Sequence, residues 1–293
     1  MRQLPFATID VFTTRPLEGN SLAVFPDGRG LTEREMQAIA REFNLSETTF
    51  VLPRDPSTER ERGIRTRIFT TREEMPFAGH PTLGTAAVLR GPGAGDEVRL
   101  ELNVGTIPVR FSQRGEWTFG EMAQVDPTFG QVHDRERVAQ AIGVPARELD
   151  ATRPIQTVST GNPVAIIPFV RLETLQRWAP DWIRMEAYLK GTDARFFYAI
   201  CRETVSRDAH LHARMVFYGG DDPATGSAAG PAAAWLVRNG SVESGSSIEI
   251  EQGLEVHRPS RMFARADLKE GKVTGVRVGG FFAPVLRGEL SLP

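Results

Sequence analysis

Two short loops carry the side chains best suited to acid–base chemistry. The first reads Met75-Pro76-Phe77-Ala78-Gly79-His80-Pro81-Thr82-Leu83-Gly84, and the second Gly219-Gly220-Asp221-Asp222-Pro223-Ala224-Thr225-Gly226-Ser227. Each is followed by small and apolar residues that read as a helix. Each also places Pro near the first helical position, where its missing N–H costs nothing. The first amides of a helix have no intrahelical partner, and its dipole favours negative charge there. Two such termini facing one cleft would hold a small carboxylate, or the enolate left when that molecule loses a proton. Taken singly, the residues allow plainer roles. Asp222 could be a helix cap worth about 1 kcal/mol, Ser227 a small buried residue, and His80 a packed ring bonded to backbone. Similar chemistry-capable loops at corresponding points of the chain favour the chemical reading.

Other constellations offer less. Cys201 is the single cysteine, so no intrachain disulfide or cysteine-based zinc site can form. Its setting, Phe196 to Cys201, reads as a strand with the thiol packed inside. His210 and His212 share one face of a strand without a third ligand nearby, and Asp221-Asp222 is too sparse for a calcium loop. In Gly226-Ser227-Ala228-Ala229-Gly230 the serine stands one place too early for a nucleophile elbow. Gly91-Pro92-Gly93-Ala94-Gly95 ends a helix and is no phosphate loop. No cofactor or metal is therefore expected. A formal charge of -2 with scattered basic residues argues against nucleic acid. No run of about 18 apolar residues is present to span a membrane. The first residues lead straight into strand-like sequence, so a cytoplasmic enzyme is the expectation.

The elements that must position these loops repeat. Gly19-Asn20-Ser21-Leu22-Ala23-Val24 is answered by Gly161-Asn162-Pro163-Val164-Ala165-Ile166, and Gly84-Thr85-Ala86-Ala87 by Gly226-Ser227-Ala228-Ala229. Both pairs are 142 residues apart (19 to 161, 84 to 226). Two related lobes are expected, 1–147 and 148–293. The first reads as strands Ala7–Phe12, Ser21–Phe25, Thr48–Leu52 and Gly63–Phe69 with a helix Thr32–Phe43, whose Thr32 and Glu35 form a capping box. A helix near Thr82–Arg90 and further strands follow. The second has strands Ile155–Ser159, Val164–Phe169, Arg195–Cys201 and Leu211–Phe217, a helical stretch Leu172–Leu189 and a helix near Thr225–Arg238. The helices after the two loops are apolar on nearly every face, as buried helices are. The fold class is α+β: two pseudo-symmetric lobes, each a mixed or antiparallel sheet or barrel around a central buried helix.

At these residues the sequence resembles the phenazine-biosynthesis, PhzF-like family. The likeness runs through Ile9-Asp10-Val11-Phe12, Gly19-Asn20, Leu45-Ser46-Glu47-Thr48 and Pro76-Phe77-Ala78-Gly79-His80. It continues through Asp222-Pro223-Ala224-Thr225-Gly226-Ser227 and Val276-Arg277-Val278-Gly279-Gly280. It implies a diaminopimelate-epimerase-like fold, a homodimer and a cofactor-independent isomerase similar to trans-2,3-dihydro-3-hydroxyanthranilate isomerase. Related epimerases use paired cysteines at the two helix entrances; neither loop here contains one. On composition alone Glu47 reads as a solvated turn residue. The resemblance assigns it the acid–base role, makes His80 and Asp222 its catalytic companions, and gives Gly79, Gly226 and Ser227 to substrate binding. Two departures bear on the substrate: Ser21 stands where the family usually has Pro, and Phe217 to Asp221 is a shorter connection than usual. The competing reading is a catalytically silent relative that binds a metabolite or a partner protein. Proton exchange between a candidate substrate and deuterated water separates the two.

Overall fold

Thr32 and Glu35 close the capping box that their spacing predicts: the Thr32 hydroxyl accepts the Glu35 amide, and the Glu35 carboxylate accepts the Thr32 amide. The helix they start, α1 (Glu33–Phe43), buries Met36, Ile39 and Ala40 against Phe25, Phe50 and Phe69. The computed structural model describes residues 1–91, 95–217 and 220–292. By internal contacts the chain forms two units, Met1–Ala123 with Gly279–Pro293, and Gln124–Val278.

In the first unit, β1 (Arg2–Val11) lies antiparallel to both β2 (Asn20–Phe25) and the C-terminal strand Phe282–Leu292. β2 runs parallel to β3 (Glu47–Val51), and β3 antiparallel to β4 (Ile64–Thr70). β4 takes the short β5 (Glu74–Met75) antiparallel and β6 (Glu97–Leu102) parallel. β7 (Gly105–Arg114) and β8 (Trp117–Ala123) complete an antiparallel meander. A short helix, α2 (Pro56–Arg62), precedes β4; its Asp55 cap and Pro56 start are a signature the sequence reading passed over.

At the centre stands α3 (Gly79–Arg90), packed against β1, β2, β3, β6, β7 and β8. Residues Gly79 to Ala86 are all buried. Gly84 permits that closeness: a Cβ there would lie 2.7 Å from Leu22 Cδ2 and 2.8 Å from Val11 Cγ2.

The second unit repeats the ladder. β9 (Thr128–His133) and β11 (Pro163–Phe169) flank β10 (Ile155–Ser159) antiparallel, and β11 runs parallel to β12 (Phe196–Cys201). β12 pairs antiparallel with β13 (Leu211–Phe217), which takes β14 (Gly220–Asp221) antiparallel and β15 (Ile248–Gln252) parallel. β16 (Ser260–Lys269) is antiparallel to β15. Between the strands run α4 (Arg135–Ile142), α5 (Leu172–Arg177), α6 (Trp182–Leu189) and α7 (Gly226–Arg238). α7 is buried from Gly226 to Val237 and packs against β10, β11 and β16. The order antiparallel, parallel, antiparallel, parallel, antiparallel is common to both units. The expected α+β plan, a mixed sheet around a buried helix in each half, is what forms.

Several expectations change. The chain passes from one unit to the other at Ala123 and Gln124 and returns at Gly279, whereas the repeat placed the division after residue 147. The match of Gly19 with Gly161 registers equivalent positions, before β2 and β11, but β1 takes its outer partner from the far C-terminus while β10 takes β9 from just before it. The match of Gly84 with Gly226 is accidental: Gly79 and Gly226 are the first helical residues, 147 apart. α3 therefore starts one turn before Thr82, and Pro81 is its third residue. Leu172–Leu189 is two helices, because Pro180 interrupts it and the Asp181 side chain caps α6. Among the described residues no helix is long and apolar enough to cross a membrane.

Candidate active site

α1 ends on Asn44, whose left-handed backbone (φ 50°) lets its amide reach the Ala40 carbonyl. The chain turns at once, and Glu47 becomes the first residue of β3, paired with Leu22 on one side and Thr70 on the other. Its side chain is thereby carried inside, with the residue 6% exposed. His80, the second residue of α3, is 3% exposed, and its Nε2 lies 3.4 Å from Glu47 Oε2, off the line of a hydrogen bond. Burial drives the His80 pKa down to about 3, opposed only by a hydrogen bond with the Ser21 backbone. The ring is neutral at pH 7. A bond that favours the protonated ring is one the ring donates, so it is the Ser21 carbonyl that accepts. Ser21 is held in turn: its hydroxyl donates to Asp10 Oδ1 at 2.5 Å, and Leu17 N–H donates to Asp10 Oδ2 at 2.7 Å.

A second polar cluster surrounds the start of α7. Asp222 is buried, and its amide donates to the Met215 carbonyl at 2.8 Å. Thr225, not Asp222, occupies the N-cap position of α7. Its hydroxyl donates to Asp222 Oδ2 at 2.7 Å. The Gln252 side chain, reaching across from β15, donates to the Asp222 carbonyl at 2.7 Å and to Thr225 Oγ1 at 2.9 Å. Gly226 and Ser227 are buried in the first turn, and the Gly226 carbonyl accepts from Gln124 Nε2 at 2.9 Å.

Among the described helices α3, α5 and α7 lack the side-chain N-cap that the other four have, and of these three only α3 and α7 are buried along their first turns. The side chains of Thr32, Asp55, Asp134 and Asp181 cap α1, α2, α4 and α6. Ala78 and Thr225, at the N-caps of α3 and α7, make no such bond. The first amides of two buried helices are thus left without a side-chain cap, the arrangement that suits an anionic group. A cavity of about 530 Å³ opens beside the other end of α3, lined by Thr8, Ile9, Val88, Arg90, Pro284 and Leu286 among others. Its lining holds no carboxylate or imidazole, whereas Glu47 and His80 stand at the N-terminal end of the helix.

The structure thus gathers Glu47, Gly79 and His80 in one unit and Asp222, Gly226 and Ser227 in the other. The supporting roles of Asp10, Ser21, Thr225 and Gln252 were not assigned from the sequence. Asp10, Ser21 and Thr225 stand inside segments the sequence marks, whereas nothing there points to Gln252. His212 lies buried between Glu251 and Glu255, at 3.0 and 2.9 Å. Burial lowers its pKa, but the two carboxylates outweigh that and raise it. Cys201 packs in the core of the second unit, and burial pushes its thiol up. Among the described residues no group of three or more His, Cys, Asp or Glu is arranged to hold a metal. Residues 92–94 of the glycine-rich stretch, and Tyr218 and Gly219 of the shortened connection, lie outside the described residues.

Comparison with known proteins agrees over nearly the whole chain. The family model described as "Phenazine biosynthesis-like protein" matches residues 9–288. A trans-2,3-dihydro-3-hydroxyanthranilate isomerase from Pseudomonas chlororaphis is 37% identical across 98% of this chain and 99% of its own. An uncharacterized isomerase from Mesorhizobium japonicum is likewise 37% identical, across 99% of each. The crystal structure of the Bacillus anthracis phenazine biosynthesis protein of the PhzF family matches all of both chains with a TM-score of 0.87 at 30% identity.

Proposed function

The chain belongs to the phenazine biosynthesis-like family and is an isomerase, and from that premise we propose that Glu47 moves a proton between two carbons of a small carboxylate substrate. The observation that carries the reading is the pairing of a buried carboxyl with a neutral imidazole. Glu47 Oε2 faces His80 Nε2 at 3.4 Å, and burial denies the ring a charge. A neutral imidazole has one N–H. With that N–H on the Ser21 carbonyl, Nε2 presents a lone pair to Glu47. A proton collected by the carboxyl then has an acceptor beside it, and can be returned to the substrate at the second carbon. The protonated carboxyl can exchange with solvent before the return step, so the reaction run in deuterated water carries an isotopic record. Asp222, Ser227 and the amides of Gly79 and Gly226 bind the substrate's polar groups, and the uncapped helix starts supply the favourable field for its carboxylate.

By the likeness to the Pseudomonas enzymes, trans-2,3-dihydro-3-hydroxyanthranilate is the first substrate to test. In deuterated water the wild-type protein should convert it and place solvent deuterium on the carbon that receives the proton. Glu47→Gln keeps the shape and removes the base, so turnover should fall by at least about 100-fold. Undiminished turnover and deuterium incorporation by that variant would exclude Glu47 as the proton carrier. No cofactor is required in this scheme. Activity should survive chelation followed by gel filtration, and a loss restored by one specific ion would overturn that part.

A further inference from the structure

The hydrogen bonds behind Asp222 run in one direction, and the backbone dictates which. Gln252 is fully buried in β15. Its Oε1 faces the Thr225 amide at 3.3 Å, which can only donate. Its Nε2 faces the Asp222 carbonyl at 2.7 Å, which can only accept. The side-chain amide therefore has one orientation. Its second N–H falls on Thr225 Oγ1 at 2.9 Å, so that oxygen must accept. The Thr225 hydroxyl proton is then directed to Asp222 Oδ2, 2.7 Å away. On the other side of Gln252, the Tyr198 hydroxyl reaches Oε1 at 3.2 Å and must be the donor. Tyr198 is wholly buried, and desolvation, with the charge of Asp222 second, raises its pKa, so the phenol keeps its proton.

We infer that Tyr198, Gln252 and Thr225 form a one-way positioning relay that makes Asp222 Oδ2 a permanent acceptor from the protein and so fixes the carboxylate for the substrate. The inference rests on the reading of Asp222 as a substrate contact given above. A carboxylate that already receives a hydroxyl proton on one oxygen has that oxygen's proton affinity lowered and its rotation about the Cβ–Cγ bond blocked. The substrate then meets a carboxylate whose orientation is set before binding. None of the three relay residues touches the substrate in this scheme; they act through Asp222.

The test uses the full chain, labelled with [4-13C]aspartate, with the Asp222 resonance identified by its loss in Asp222→Asn. Thr225→Val is isosteric and removes the hydroxyl; Thr225→Ser retains it. Thr225→Val should shift the Asp222 13Cγ signal in the free protein and lower kcat roughly tenfold, with KM within about twofold, as expected for losing a hydrogen bond to a charged group. Thr225→Ser should restore both. Unchanged resonance in Thr225→Val overturns the relay. A shifted resonance with unchanged kcat upholds the relay but removes Asp222 from the reaction, so the two readings fail separately. Should Thr225→Val not fold, Tyr198→Phe carries the same test from the far end. It should move the resonance in the same direction by less, and no movement would overturn the relay.

Discussion

The neutrality of His80 has a consequence that can be measured without any substrate. The ring sits with a pKa near 3, whereas an unfolded histidine titrates near 6.5. A group whose pKa is depressed on folding contributes its full stability above the unfolded value, and the contribution is lost as pH falls toward the folded one. At pH 5 the unfolded chain is about one and a half units below its histidine pKa, while the folded ring still refuses the proton. Each unit is worth about 1.4 kcal/mol, so His80 should cost the native state about 2 kcal/mol on going from pH 8 to pH 5. The estimate does not depend on the exact folded value, provided that it lies well below 5. His80→Gln lacks the titration. Urea unfolding of both proteins at pH 8 and pH 5 gives a double difference, in which the opposite effect of His212 and that of His133 cancel. The stability gap between wild type and variant should shift by about 2 kcal/mol against wild type at the lower pH. Repeating the pair in a Glu47→Gln background removes the neighbouring carboxyl from the comparison. A double difference below about 0.5 kcal/mol in both backgrounds would show that the ring accepts a proton in the folded protein, and the neutral-imidazole step would fail.

Two further outcomes follow from packing. Gly84→Ala should destabilise despite the roughly 1 kcal/mol that alanine gains in a helix. Its Cβ would press on Leu22 and Val11, and overpacking of this kind costs about 1–3 kcal/mol; a thermal melt showing stabilisation would refute the close approach of α3. Arg214 is buried with its guanidinium on both Asp221 oxygens, at 2.9 and 3.0 Å, and on the Leu175 and Trp178 carbonyls at 2.7 Å. Arg214→Met strands Asp221 beside Asp222 and should cost about 3–5 kcal/mol in chemical denaturation; a loss below about 1 kcal/mol would show that the pair is solvent-screened.

The local signals were legible because they act over one turn. Thr32 and Glu35 cap α1 as their spacing requires, and the all-round apolar sequences of α3 and α7 could not have been surface helices. The repeated halves, each a mixed sheet around such a helix, could be read from the same stretches. Glu47 was different. Its neighbours describe a turn between a helix and a strand, and only the pairing of β3 with β2 and β4 carries the carboxyl into the interior beside His80. The start of α3 at Gly79, which sets His80 in the first turn, depended on burial that no local propensity reports. Gln252 belongs with Asp222 although 30 residues separate them, because β15 pairs beside β13 and brings its last side chain under the start of α7. The C-terminal strand could not be assigned to the first unit by the repeat, since it is its ladder with β1 that places it there. Sequence by itself determined the elements, their repetition and the residue types at the helix entrances. Tertiary structure decided which polar groups lose water, and with it which of them are neutral and which can only accept.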